Sequence, residues 1–166
     1  KVFDYEKLVL RSGRDKKARE ALLARQKARK LSFGGEKKLD IIEKLLIQHK
    51  QDKVIIFCEF NEIVRAITKR FLIPEITHKT KLEERRIVLD SFRNGKYSKL
   101  VTGKVLDEGW DVDANIGVIV SGSGSKRQFI QRLGRILRPS ETRSKAILYE
   151  LVTKETLEVS TAFRRK

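Results

Sequence analysis

A parallel sheet with helices packed on both faces, an α/β fold, is what this sequence of 166 residues predicts. Three observations carry that expectation. Val54-Ile55-Ile56-Phe57 and Ile116 to Val120 are continuous apolar runs of strand length, the pattern of strands buried on both faces. Between such runs lie stretches whose apolar residues recur at helical spacing. The two kinds then alternate along the chain, which favours β-α-β units over an antiparallel meander.

The elements follow in order. From Arg11 to Lys30 nearly every residue is helix-forming and most of the charge is cationic, so one basic helix is expected there. Its Ala18, Ala21-Leu22 and Ala28 make only a narrow apolar stripe, too weak to face a core. Ser32-Phe33-Gly34-Gly35 breaks the pattern, and the boundary is placed there: a basic helical extension over 1–33 and an α/β domain over 34–166. Leu39, Ile41-Ile42 and Leu45-Leu46 have a helical period, and the strand Val54 to Phe57 follows. Helix Asn61 to Phe71, strand Ile73 to Thr77 and helix Leu82 to Phe92 come next, then strands at Lys99 to Thr102 and Ile116 to Val120. A helix over Lys126 to Leu137 is stopped by Pro139; strand Ala146 to Val152 and a helix from Glu155 close the chain.

Composition narrows the function. The net charge of +16 calls for a polyanionic partner, most simply nucleic acid. No stretch approaches the length and apolarity of a membrane span, and no signal peptide is visible. One cysteine allows no internal disulfide, and Cys58, at the end of an apolar strand, reads as a small buried hydrophobe. With that cysteine and only His49 and His78, no zinc constellation can be built, and no metal ligand is assigned. The chain begins at Lys1 without any methionine, so a piece of a longer protein is expected.

The chemistry concentrates in Gln131-Arg132-Leu133-Gly134-Arg135-Ile136-Leu137-Arg138. On a helix Gln131, Arg135 and Arg138 share one face. Two permanently charged, planar guanidinium groups beside a glutamine able to orient water are the parts that stabilise a transferring phosphoryl group. A bare pair of arginines at that spacing is more often a solvated basic face; the whole string is more specific. Earlier stands Val105-Leu106-Asp107-Glu108-Gly109-Trp110-Asp111, where Gly109 permits close backbone approach and the Asp111 carboxylate suits sugar hydroxyls. Taken alone, those four residues from Glu108 would be read as a turn.

Together these strings resemble the motor domains of superfamily 2 helicases. Gln131 to Arg138 is similar to their Q-x-x-G-R-x-x-R motif, and Glu108-Gly109-Trp110-Asp111 to the E-G-x-D core of the motif before it. Lys53 to Phe60, Glu84-Arg85-Arg86 through Phe92-Arg93-Asn94-Gly95, Ser121 to Ser125 and Leu148 to Val152 extend the likeness over roughly residues 35 to 163, closest to XPB-type DNA repair and transcription helicases. The resemblance implies a RecA-like, P-loop NTPase-like second motor domain of a 3′-to-5′ DNA helicase acting in nucleotide excision repair and transcription. It implies that Arg135 and Arg138 are arginine fingers and that Gln131 lies near the γ-phosphate or attacking water. Gly109 and Asp111 would meet the nucleotide, and Glu108 would couple that contact to DNA. Lys79, Thr80, Thr102 and Lys104, with His78 beside them, would meet the phosphates of one DNA strand. Gly103 stands where many relatives carry threonine, Trp110 where an aliphatic residue is usual, and Asp113 where proline is frequent. Residues 1–33 would be the returning helix of a thumb-like insertion. Implied partners are DNA, the N-terminal motor domain of the same protein and, in archaeal members, a nuclease; the setting would be cytoplasm or nucleoid, or the nucleus in a eukaryote.

Equally informative, no G-x-x-x-x-G-K-[ST] loop and no D-E-x-H-type acidic motif occurs. ATP and Mg2+ would therefore be held mainly by a first motor domain that this chain lacks, and the chain alone is expected to hydrolyse no ATP. Two other readings stay open: a non-catalytic nucleic-acid- or protein-binding module with a helicase-like fold, and another superfamily 2 translocase of the restriction type. The arginine pair counts against the first, the Ser121 to Ser125 and Leu148 to Val152 strings against the second.

Overall fold

The computed structural model describes residues 5–33, 36–103, 114–120, 134, 146–154 and 159. The described elements are α1 (Tyr5–Ser12), α2 (Lys16–Phe33), α3 (Glu36–Gln48), β1 (Val54–Phe57), α4 (Asn61–Phe71), β2 (Glu75–Ile76), α5 (Leu82–Arg93), β3 (Lys99–Thr102), β4 (Ile116–Ile119) and β5 (Ile147–Glu150). The strands form one sheet in the order β2-β3-β1-β4-β5, every neighbouring pair parallel.

β1 lies at the centre because nothing in it needs water. Val54, Ile55 and Ile56 are buried, and their side chains alternate between two apolar layers. On one face Val54, Ile56 and Cys58 pack with Ile42 and Leu45 of α3 and with Ile63, Val64 and Ile67 of α4. On the other, Ile55 and Leu100 pack with Leu89 and Phe92 of α5. Helices thus cover both faces, as the continuous apolar runs require. Burial pushes the Cys58 thiol well above its ordinary range, so it sits there as an inert apolar group.

A polar cluster closes the amino-terminal end of the sheet. Asp52, just before β1, takes a hydrogen bond from the Asn115 amide at 2.8 Å and contacts Nδ1 of His49 at 2.9 Å. His49 reaches the Tyr149 hydroxyl of β5 through Nε2 at 3.0 Å, and Asn115 accepts from the Lys53 amide at 2.8 Å. The Lys99 ammonium of β3 donates to the Asp52 carbonyl at 2.7 Å; burial lowers its pKa, against the upward pull of the Asp52 carboxylate. His49, Asp52 and Asn115 are buried, and each finds partners among the others, which is what makes their burial tolerable.

Three expectations change. The single helix over Arg11 to Lys30 is two helices, because Asp15 caps a new start: its Oδ1 accepts from the Lys17 and Ala18 amides at 2.9 and 3.3 Å. The Ala18 amide is also the leading reason that the Asp15 carboxyl is held below its usual range. The second helix runs on through Ser32 to Phe33, past the first half of the expected break; Gly34 and Gly35 lie outside the described residues. β2 is shorter than the expected Ile73 to Thr77, spanning only Glu75–Ile76. The helices expected over Lys126 to Leu137 and from Glu155 lie outside the described residues except for Gly134 and Val159, both helical.

Helix α4 ends on Leu72 in a left-handed conformation, φ 53°, with the side chain 88% exposed. A β-carbon is costly there and the side chain packs against nothing that would offset it. Leu72→Gly is therefore expected to raise unfolding stability by about 0.5–1 kcal/mol, read as a higher denaturant midpoint at unchanged slope.

Candidate functional site

In open parallel sheets ligands gather beyond the carboxyl ends of the strands. Here the register puts Phe57, Thr102 and Ile76 in one row across β1, β3 and β2, and Ile119 beside Phe57 in β4. The residues just past that row are the ones to inspect.

After β2 the chain turns sharply through Thr77-His78-Lys79-Thr80. The Thr77 amide donates to Oγ1 of Thr80 at 2.9 Å, the Lys79 amide to Oγ1 of Thr77 at 3.3 Å, and the Thr80 amide to the Thr77 carbonyl at 3.1 Å. This is the local hydrogen bonding for which threonine is suited in turns. The turn holds Lys79 exposed at its tip, with Lys81 close behind, also exposed. An oxygen that accepts from an amide still has its O–H to donate, so Thr80 can brace the turn and present a donor at once.

Thr102 is placed otherwise. It is fully buried, and its hydroxyl donates to the Gly103 carbonyl at 3.0 Å. The main chain around it completes the sheet end: its carbonyl accepts from the Cys58 amide at 2.9 Å, and the Gly103 amide donates to the Ile76 carbonyl at 2.9 Å. Of the sequence-predicted nucleic-acid contacts, Lys79 and Thr80 therefore share one exposed turn, and Thr102 lies beneath the surface next to it. Lys104, Glu108, Gly109, Asp111, Gln131, Arg135 and Arg138 lie outside the described residues, as do Trp110, Asp113 and the Ser121 to Ser125 segment.

Two polar residues here escaped the sequence reading. Asn61, the first residue of α4, has its side-chain amide 3.0 Å from Nδ1 of His78. Lys38 of α3 is buried and donates through Nζ to the Val120 carbonyl at 2.8 Å, at the carboxyl end of β4. The Lys38 charge acts to lower the Cys58 thiol pKa, against the larger effect of burial. Asn61 carried no signal beyond opening a helix, and Lys38 looked like one more surface lysine.

A parallel sheet with this strand order, a basic chain, and the Q-x-x-G-R-x-x-R string after the fourth strand point to one kind of motor domain. The family model described as ERCC3/RAD25/XPB C-terminal helicase matches residues 18–166. The chain belongs to that family.

Among its relatives, a DNA 3′-5′ translocase XPB2 of Sulfurisphaera tokodaii is 40% identical over 164 residues, covering 98% of this chain and 37% of that protein. A DNA 3′-5′ helicase XPB of Mycobacterium tuberculosis is 30% identical over 131 residues, covering 78% of this chain and 24% of that protein. The chain thus spans well under half the length of these XPB relatives. Two solved structures share the fold. The C-terminal domain of the DEAD-box protein Dbp5 superposes with TM-score 0.65 at 19% identity, covering 80% of this chain and 79% of that one. The E. coli DEAD-box protein SrmB does so with TM-score 0.66 at 18% identity, covering 79% of each chain. The parallel sheet of the described residues is thus of the same fold as these two DEAD-box structures.

Thr80→Val removes the acceptor for the Thr77 amide and is expected to cost about 1–3 kcal/mol of stability, whereas Thr80→Ser keeps the acceptor and most of that stability. Denaturant unfolding of the two variants side by side checks this.

Proposed function

We propose that this chain is the C-terminal motor domain of an ATP-dependent 3′-to-5′ DNA helicase or translocase, acting where duplex DNA must be opened for repair or transcription. The observation that carries the reading is the Gln131 to Arg138 string inside a chain of the XPB C-terminal helicase family. On this reading residues 34–166 are the motor domain and residues 1–33 an extension to it.

Arg135 and Arg138 reach the γ-phosphate of ATP across the cleft to the first motor domain, where they offset the charge that develops as the phosphoryl group transfers. Gln131 orients the attacking water. Gly109 lets the main chain approach the nucleotide, Asp111 accepts from the ribose hydroxyls, and Glu108 passes the presence of nucleotide to the DNA-gripping side. ATP and Mg2+ are held mainly by the first motor domain, which supplies the phosphate-binding loop absent from this sequence. On the other rim Lys79 and Lys104 offer charge to phosphates, Thr80 offers a hydroxyl, and the buried Thr102 holds the end of β3 in place. The net charge of +16 favours DNA binding throughout and makes it salt-sensitive. The family relatives carrying DNA translocase and helicase names support DNA as the track.

Arginine fingers act on the transition state more than on ground-state binding. In the full-length protein, Arg135→Ala and Arg138→Ala are each expected to lower DNA-stimulated ATP turnover by about a thousandfold or more while nucleotide binding persists; this chain alone gives no turnover. Normal turnover in either variant would remove the reading. For the DNA side, Lys79→Ala is expected to weaken binding uniformly across sequences and reduce the salt slope by about 1. An unchanged slope in a salt titration would take Lys79 out of the interface.

A further inference from the structure

Asn61 opens α4 four residues beyond the end of β1, and its carboxamide is held from two sides. On one side its Nδ2 donates to Nδ1 of His78 at 3.0 Å, linking the end of β1 to the turn after β2. On the other, Oδ1 lies where a Cβ at Gly103 would come within 3.1 Å. Gly103 has no positive φ, so backbone freedom is not the reason for a glycine there. The carboxamide lies so close to that position that a larger residue would make it shift by a few tenths of an ångström. One side chain at the end of β1 is thus bonded to the turn after β2 and lies beside the end of β3, three strands adjacent in the sheet and scattered in sequence.

With Nδ1 engaged by Asn61, Nε2 is the other ring nitrogen, the one available to a ligand. His78 is exposed, and it sits between the row of strand ends and the exposed Lys79. An exposed ring N–H beside lysines is a donor suited to a phosphate oxygen.

We propose that Asn61 is a positioning residue of the nucleic-acid interface: it holds the His78 ring through Nδ1 so that Nε2 meets a DNA phosphate, in space left by Gly103. The proposal rests on the turn at Lys79 and Thr80 being the DNA interface. Lysines there supply long-range attraction, which is indifferent to a shift of an ångström; a ring held on both its own turn and a neighbouring helix supplies a contact at a fixed place. Asn61 need not touch DNA for this, and it carries no charge to contribute.

The test measures binding of a labelled single-stranded oligonucleotide to the full-length protein across a salt titration, with melting temperatures taken alongside. Asn61→Ala and His78→Ala are each expected to weaken binding about tenfold, Asn61→Ala without changing the salt slope, and the double variant to be no weaker than either single one, since both remove the same contact. Gly103→Ala, whose new methyl crowds the carboxamide, is expected to weaken binding in the parent protein and to have no further effect in the Asn61→Ala background. Additive losses from Asn61→Ala and His78→Ala overturn the proposal. So does parental affinity in Asn61→Ala while Lys79→Ala is impaired. A loss in Asn61→Ala matched by a fall in melting temperature and by lost nucleotide binding overturns it as well, because Asn61 is then a brace for the whole domain. If Lys79→Ala itself binds DNA like the parent, the interface reading falls and takes this proposal with it.

Discussion

β1 has no solvent-facing side. Val54, Ile55 and Ile56 are buried, helices α3 and α4 cover one face and α5 the other, and β3 and β4 pair with both of its edges. Every backbone group of such a strand must be satisfied by its neighbours, which fixes register as strictly as it fixes position. Polar chemistry is thereby confined to the two ends of the sheet. At the amino-terminal end the groups satisfy one another: Asp52, His49, Asn115, Tyr149 and Lys99 make a closed set of hydrogen bonds that ties β5 and β3 to the start of β1. At the carboxyl end they do not close in the same way. The exposed His78 and Lys79 and the half-buried Thr80 are held in a fixed turn and face outward. One end is closed by its own hydrogen bonds and the other leaves polar groups exposed.

That asymmetry explains what sequence could and could not reveal. Strands buried on both faces announce themselves as unbroken apolar runs, and α4 and α5 by their apolar period, so β1, β3, β4 and the two helices were legible almost residue by residue, while the edge strands β2 and β5 are shorter than expected, at Glu75–Ile76 and Ile147–Glu150. The split between α1 and α2 was not, because in a run as charged as Arg11 to Lys30 one aspartate looks like any other. Only the geometry shows that Asp15 turns its carboxylate back onto two amides. Lys38 was illegible for a related reason. A lysine on an amphipathic helix is ordinarily a surface residue, and what buries this one is a carbonyl 82 residues away.

The site divides along the same line. That Lys79 and Thr80 share one turn was legible because a turn motif is local in sequence. Thr102 was reasonable as a strand-end hydroxyl, but a strand covered on both faces turns neither parity of side chain to solvent, and its hydroxyl satisfies its own neighbour. Asn61 could not have been found by any local rule. The order β2-β3-β1 brings residues 61, 78 and 103 together although no two of them are closer than 17 positions apart. Strand order is a property of the sheet, and sequence reading alone supplies only the strands.

A net charge of +16 would attract DNA to almost any face of this chain, so charge by itself cannot define a track. What distinguishes the turn after β2 is that its lysines stand on a framework of hydrogen bonds: Thr77 to Thr80 within the turn, and Asn61 to His78 across from the neighbouring strand end. Charge sets how strongly and how salt-dependently a polyanion is held, while neutral donors at fixed positions set where along its backbone it is held. The place of that turn follows from the strand order and from the double burial of β1, and the basic composition does not decide it.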